Sequence, residues 1–270
     1  MARAKNLFEI TGSMAKFSMY RLQGHDEVIV RTKGGPSKYQ IKNKPQFEKV
    51  RRNNEEWKAC TGMTSQIREG YYFLKRLEDY PTSGALNAIA KQMQKLDTES
   101  EHGKRNILLS KHKEMLPGFS LSRKQVFESV LKVPVTTSID RAAGEATIEI
   151  PDINTNFYLY NFRKLPYYRI LANFSSLVDI VHDGENYINY LHTGESYTHR
   201  DIGIFESEWF PSNGTQPGMT IRLSHPIETE HLSPHITLML TIGIEFGQNG
   251  NDNTITPVKY SGTGKIIRVA

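Results

Sequence analysis

Cysteine is almost absent. Cys60 stands alone in 270 residues, which excludes an internal disulfide and any thiolate metal cage drawn from one chain. A reducing compartment is the simplest fit. Long apolar runs are missing too. Met1 to Phe17 carries basic residues but lacks the apolar core, roughly 7–15 residues long, of a secretory signal. The most apolar later run, Ile236 to Phe246, is too short for a membrane-spanning helix and contains Thr237, Thr241 and Glu245. These absences predict a cytoplasmic protein, or part of a particle assembled in the cytoplasm, with no membrane partner.

Catalytic motifs are equally scarce. No Gly-x-Ser-x-Gly elbow occurs, and Gly262-Thr263-Gly264-Lys265 lacks the glycine spacing of a phosphate loop and precedes a strand. His225, Glu228, Glu230, His231 and His235 lie close together, but Pro226 and Pro234 prevent the helical display that a zinc helix requires. His192 and His199 fall in a polar region between strands. Asn249, Asn251, Asp252 and Asn253 imitate an oxygen-rich calcium loop without its downstream glutamate, and read as a turn. Cys60, on the apolar face of a helix, makes a poor nucleophile. The expectation is a protein without enzymatic activity, cofactor or metal. A reading of another class is an enzyme assembled from distant residues of the β-rich half, acting on carbohydrate through Tyr and Trp surfaces.

What is present begins with a hairpin. Phe17–Leu22 and Val28–Thr32 are rich in β-branched and aromatic residues and are joined by the glycine-containing loop Gln23–Glu27. Lys33-Gly34-Gly35-Pro36-Ser37 then forbids continuation of either regular structure. An isolated two-stranded hairpin is marginal in water, so Phe17, Met19, Tyr20, Val28 and Val30 predict an arm that needs another surface. Gly34 and Gly35 read as its hinge, and Pro36 to Lys44 as an extended spacer.

From Pro45 the apolar residues Phe47, Val50, Trp57, Cys60, Met63, Ile67, Tyr71, Leu74 and Leu77 recur at three- and four-residue steps, predicting an amphipathic helix to about Asp79. Trp57 is expected on its buried face, and Gly62 and Gly70 mark a bend or close packing. Leu86, Ile89, Ala90, Met93 and Leu96 predict a second helix. Ser122 with Gln125 resembles a capping box before a brief third helix through Leu131. At Val133 the period falls to two. Val133–Ile139 and Glu145–Ile150 predict a hairpin, followed by strands at Tyr167–Phe174, Leu177–Val181, Gly203–Phe210, Met219–Leu223, Ile236–Phe246, Ile255–Tyr260 and Lys265–Val269. The fold class is α+β: an N-terminal β-hairpin arm with a basic linker (1–43), a helical region (44–132) and a C-terminal antiparallel β-sandwich (133–270).

Charge divides along the chain. Residues 1–132 carry 25 Lys/Arg against 14 Asp/Glu, and residues 133–270 carry 9 against 15. Such polarity favours head-to-tail contacts between identical subunits or a polyanionic partner. The densest basic stretch holds Arg31, Lys33, Lys38, Lys42, Lys44, Lys49, Arg51 and Arg52, with Tyr39 and Phe47 among them.

The pattern ITGSMAKFSMYRLQGHDEVIVRTKGG followed by KPQFEKVRRNNEEW, together with ITLMLTIGIEFGQNGND and the final strand, resembles an uncharacterised family of Bacteroidetes proteins. The resemblance covers most of the chain and implies no activity and no assigned residues. More loosely, the order of hairpin arm, helical middle and β-rich end resembles subunits of phage-derived and other self-assembling structures. The leading expectation is therefore a non-catalytic structural subunit that forms a homo-oligomer in a phage-derived or virus-like particle or a filament. The alternative is a nucleic-acid-binding protein that uses segment 31–52.

Overall fold

The computed structural model describes residues 2–4, 11–22, 27–189, 203–225, 232–250, 252 and 254–270. Its chain forms two units, Met1–Arg51 and Arg52–Ala270, and the boundary falls within the first turns of a helix.

In the first unit, strands β1 (Ala2–Ala4), β2 (Gly12–Met14), β3 (Phe17–Arg21) and β4 (Val28–Thr32) form an antiparallel sheet in the order β1-β4-β3-β2. The expected hairpin is therefore the centre of a four-stranded sheet, not an isolated pair. Helix α1 (Lys38–Asn43) follows, and it corrects the extended spacer expected between Pro36 and Lys44. The local reason is a capping box: Ser37 Oγ accepts the N–H of Gln40, and Gln40 Oε1 accepts the N–H of Ser37. Pro45 opens a 3₁₀ turn, Pro45–Phe47, where its missing N–H costs nothing.

Helix α2 (Glu48–Gly70) leads into the second unit and is followed by a 3₁₀ helix at Tyr72–Leu77, so the single helix expected to reach Asp79 breaks at Gly70. Helices α3 (Ser83–Leu96), α4 (Phe127–Val130) and α5 (Thr155–Tyr158) and two 3₁₀ turns, Leu109–Lys111 and Lys113–Met115, complete the helical set among the described residues. The strands are β5 (Thr136–Asp140), β6 (Glu145–Ile150), β7 (Ile153–Asn154), β8 (Tyr167–Val178), β9 (Ile180–His182), β10 (Tyr187–Asn189), β11 (Gly203–Glu206) and β12 (Phe210–Pro211). They continue with β13 (Thr215–Gln216), β14 (Met219–Ser224), β15 (Ile236–Asn249), β16 (Ile255–Pro257) and β17 (Thr263–Val269). The expected strand Tyr167–Phe174 runs on as β8 to Val178, because Ser175 and Ser176 are buried strand residues, and the end of the expected Leu177–Val181 falls in β9.

The second unit has three layers. Its central sheet runs β11-β8-β15-β16, with β12 also on β8 and β17 on β15. Strands β8 and β15 pair antiparallel from Ile236 opposite Val178 to Gly247 opposite Tyr167. Successive side chains alternate between the two faces. Tyr168, Ile170, Ala172 and Phe174 meet Leu238, Leu240, Ile242 and Ile244 on one face, and there they pack with Ile148 and Ile150 of β6 and Ile221 of β14. This is the sandwich, closed by the sheet β14-β6-β5. The opposite face carries Leu171, Leu177 and Met239, which pack with Cys60, Met63, Ile67, Tyr71, Leu74 and Leu77. From Arg52 onward the helices and the sandwich thus belong to one unit.

Small residues set the distance between helical layer and sheet. A Cβ on Gly70, at the end of α2, would lie 2.8 Å from Met239 Cε and 2.9 Å from Ser175 Oγ; one on Gly243 would lie 2.4 Å from Leu77 Cδ1. Close packing at Gly70, which the sequence predicts, is what the structure has.

The register of α2 corrects the expectation for Trp57. The buried stripe runs Glu56, Ala59, Cys60, Met63, Gln66, Ile67 and Gly70, whereas Trp57 is 50% exposed and Val50 39%. Trp57→Ala should therefore shift the unfolding free energy by less than about 1 kcal/mol, in the range of ordinary surface substitutions. Met63→Ala removes a fully buried side chain and should cost about 2–5 kcal/mol. Urea denaturation of the two variants checks both values.

Candidate functional site

Strand alternation sorts the N-terminal sheet into two chemically different faces. Phe17 pairs with Met14 and Thr32, Met19 with Gly12 and Val30, and Arg21 with Val28. Directly paired residues share a face. Four of the expected arm residues, Phe17, Met19, Val28 and Val30, therefore lie together with Met14. Tyr20 lies on the other face, opposite Ile29, with the Arg31 guanidinium 5.3 Å from its ring centroid. The apolar face is graded: Val28 is 7% exposed at one end, while Phe17 is 45% and Met14 64% exposed at the other. Among residues 11–22 and 27–51, only Val28 is buried. A chain of this size with so few buried side chains has little core of its own.

Gly34 and Gly35 follow β4. Gly35 has φ +100°, a conformation that favours glycine, and a Cβ on either would meet nothing within 4 Å. Beyond them the basic residues divide in role. Arg51 donates from Nη1 to the carbonyls of Ile41 (2.7 Å) and Lys44 (2.9 Å), fastening α1 and its C-cap to the start of α2. These two hydrogen bonds serve the fold. Arg52 belongs to the second unit, where its side chain lies against Gly103. Arg31, Lys33, Lys38, Lys42, Lys44 and Lys49 are exposed.

The polar clusters of the second unit close on themselves. The fully buried Glu56 carboxylate accepts Arg105 Nε (2.6 Å), Arg105 Nη2 (2.7 Å), Lys91 Nζ (2.5 Å) and the backbone N–H of Gly103 (2.9 Å). Burial alone would raise its pKa, but the bonds from Arg105, Lys91 and Gly103 outweigh burial and hold it at about 2, below the ordinary 4.5. Nearby, burial pushes the Cys60 thiol up to about 11, and its sulfur contacts Gln94 Oε1 at 3.5 Å. That environment disfavours the reactive thiolate, as the sequence predicts.

Asp179, also fully buried, accepts Ser110 Oγ (2.6 Å) and the N–H of Ser110 (2.9 Å), and lies 3.2 Å from His235 Nδ1. A serine nucleophile needs imidazole between itself and the carboxylate. Here the serine hydroxyl donates directly to the carboxylate, so the trio ties the 3₁₀ turn at Leu109–Lys111 to the segments before β9 and β15 and lacks the order of a catalytic triad. A third cluster is a closed ring: Arg169 and Arg76 each bridge Glu206 and Glu245, with Arg169 stacked 4.2 Å from the Trp209 centroid and Arg76 4.6 Å from that of Phe73.

Among the described residues, no group of three or more His, Cys, Asp or Glu is arranged to hold a metal ion. His192, His199, Glu228, Glu230, His231, Asn251 and Asn253 lie outside the described residues. Lys265, in the glycine-flanked turn weighed as a phosphate loop, is in β17 and pairs with Glu128. No helix among the described residues is long and apolar enough to cross a membrane. Compared with protein-family models, curated proteins and solved structures, the chain matches none.

The buried charge that sequence reading missed is Glu56, whose partners are 35 to 49 positions away. Its depressed pKa makes a testable contribution to stability. The bonus is full above the ordinary carboxylate pKa of 4.5 and is lost as pH falls from there through about 2, since protonation then removes an acceptor that the folded state needs. The shift corresponds to about 3 kcal/mol. Glu56→Gln should be destabilised by about that amount at neutral pH, with the gap to wild type narrowing below about pH 4. Chemical denaturation across a pH series reads both effects.

Proposed function

We propose that this protein is a non-catalytic assembly subunit whose N-terminal sheet seats its apolar face on a second copy of the chain. One observation carries the reading: the row Met14, Phe17, Met19 and Val30 shares one face of a sheet in which Val28 is the single buried side chain of strands β2, β3 and β4. Such a face gains stability by losing contact with water, at roughly 25 cal/mol per Å² of apolar area covered. The occupant is argued from charge. Met1–Arg51 holds eleven Lys/Arg against four Asp/Glu, while Arg52–Ala270 holds 23 against 25, so the first unit of one copy is attracted to the second unit of another. A contact between unlike surfaces of identical chains is head-to-tail, and it either closes as a ring or propagates as a filament.

Residues 59–270 supply every buried hydrophobic side chain of the two packed clusters, so loss of the N-terminal sheet leaves those clusters intact. Deleting residues 1–35 should give a chain with native circular dichroism and a cooperative melt that elutes as a monomer. The full chain should elute as an oligomer and show rings or filaments in negative stain. Identical particles from the truncated chain, or a full-length chain that stays monomeric at high concentration, would end the proposal.

A further inference from the structure

Some cations are compensated in place and others are not. In the second unit Arg68, Arg76, Lys91, Arg105, Arg169 and Lys265 each pair with a carboxylate. In that unit too, exposed Lys75, Lys95 and Lys111 have no acidic partner among the described residues. In the first unit, among the described residues, Lys33, Lys38, Lys42, Lys44 and Lys49 have no acidic partner, and all five are exposed. Their placement is electrostatically unfavourable for the isolated fold. Lys38 and Lys42 stand four residues apart on α1, where like charges repel, and the first turn of that helix has no acidic residue to offset Lys38 at its positive end. A fold that carries uncompensated repulsion is stabilised by any ligand that supplies the missing negative charge.

From this we infer that the N-terminal unit binds a nucleic-acid backbone through Arg31, Lys33, Lys38, Lys42, Lys44 and Lys49. None of these cations belongs to the apolar row Met14, Phe17, Met19, Val28 and Val30. They are distributed over the end of β4, the following loop, α1, its C-cap and the start of α2. A track of separated point charges suits a polymer with a regularly repeated phosphate, whereas a lone carboxylate or phosphate would be met by convergent donors in a pocket. Arg31 adds a planar element. Held against the Tyr20 ring on the face opposite Phe17 and Met19, it combines charge with a surface on which a base can stack. Arg51 is left out of this set because its Nη1 is engaged by the Ile41 and Lys44 carbonyls.

The test is fluorescence anisotropy of the full-length protein with a labelled single-stranded oligonucleotide and a duplex of equal length, from about 50 to about 200 mM salt. Six neutralised phosphates predict that log K falls against log salt with a slope of about −4 to −5. Lys38→Gln/Lys42→Gln should weaken binding at every salt concentration and flatten the slope by about 2. Phe17→Ser should leave the slope unchanged while light scattering reports on assembly, so the two readings fail separately. A slope near zero, a double variant that binds like wild type, or binding of polyglutamate in place of either nucleic acid would overturn the inference.

Discussion

The ladder between β8 and β15 is the constraint on which the second unit depends. Both strands are covered on both faces, so each of their residues must satisfy a layer, and none is available to solvent along most of the length. On the sandwich side the requirement is apolar volume, met by Phe174, Leu238, Leu240, Ile242 and Ile244. The helical side requires close approach instead. Gly243, Ser175 and Thr241 supply it by being small, and Thr241 Oγ1 satisfies itself on the Asn173 carbonyl at 3.1 Å. Substituting a larger residue at Gly243 would push Leu74 and Leu77 off the sheet, which links a single glycine in a strand to the seating of the preceding helical segment.

Ionic hubs then fix how the layers are joined. The Arg169, Glu206, Arg76 and Glu245 ring unites β8, β11, the 3₁₀ helix and β15, and Glu245 is almost fully buried. Trp209 covers Arg169, and it fits only because position 247 is glycine: a Cβ there would lie 2.7 Å from the indole. Glu56 performs the same service between α2, α3 and the loop that contains Gly103 and Arg105. Buried ion pairs of this kind add little over an apolar substitute, but losing one member strands the other, so they specify one arrangement of layers more than they deepen stability.

Much of the strand pattern was legible because period-two alternation is local. Glu145–Ile150 and Val28–Thr32 have the bounds that the sequence predicts, and the long apolar face of β15 was evident. The short strands β1 and β2 have too few residues to show a period, which is why the N-terminal sheet read as an isolated hairpin. The error at Trp57 has a specific origin. A hydrophobic scan backwards from Cys60 takes a step of three to Trp57, yet the buried stripe takes a step of four to Glu56. A carboxylate enters a core only with partners, and Lys91, Gly103 and Arg105 are brought to it by tertiary structure. The capping box at Ser37 and Gln40 was visible in the sequence, but the glycines and proline before it suggested an extended segment. The apolar arm residues were recognised as a set, while their division between two faces needed the register.

Register is also what allows one small sheet to hold two properties at once. Because side chains alternate with a period of two, the apolar row of Phe17 and Met19 and the Tyr20–Arg31 pair occupy opposite sides of the same strands, and neither dilutes the other. A slip of one residue between β3 and β4 would interchange the faces of one strand, placing Arg31 beside Phe17 or Met19 and breaking both surfaces. Two strands joined by a loop would resist such a slip only weakly. The outer strands add the resistance: Gly12 opposite Met19 and Ala2 opposite Val30 tie each central strand to a second neighbour, so a slip must break two ladders instead of one. A sheet with so little buried volume thus holds its register through backbone pairing, which explains why the unit is built from four strands although its apolar face is carried by the two at its centre.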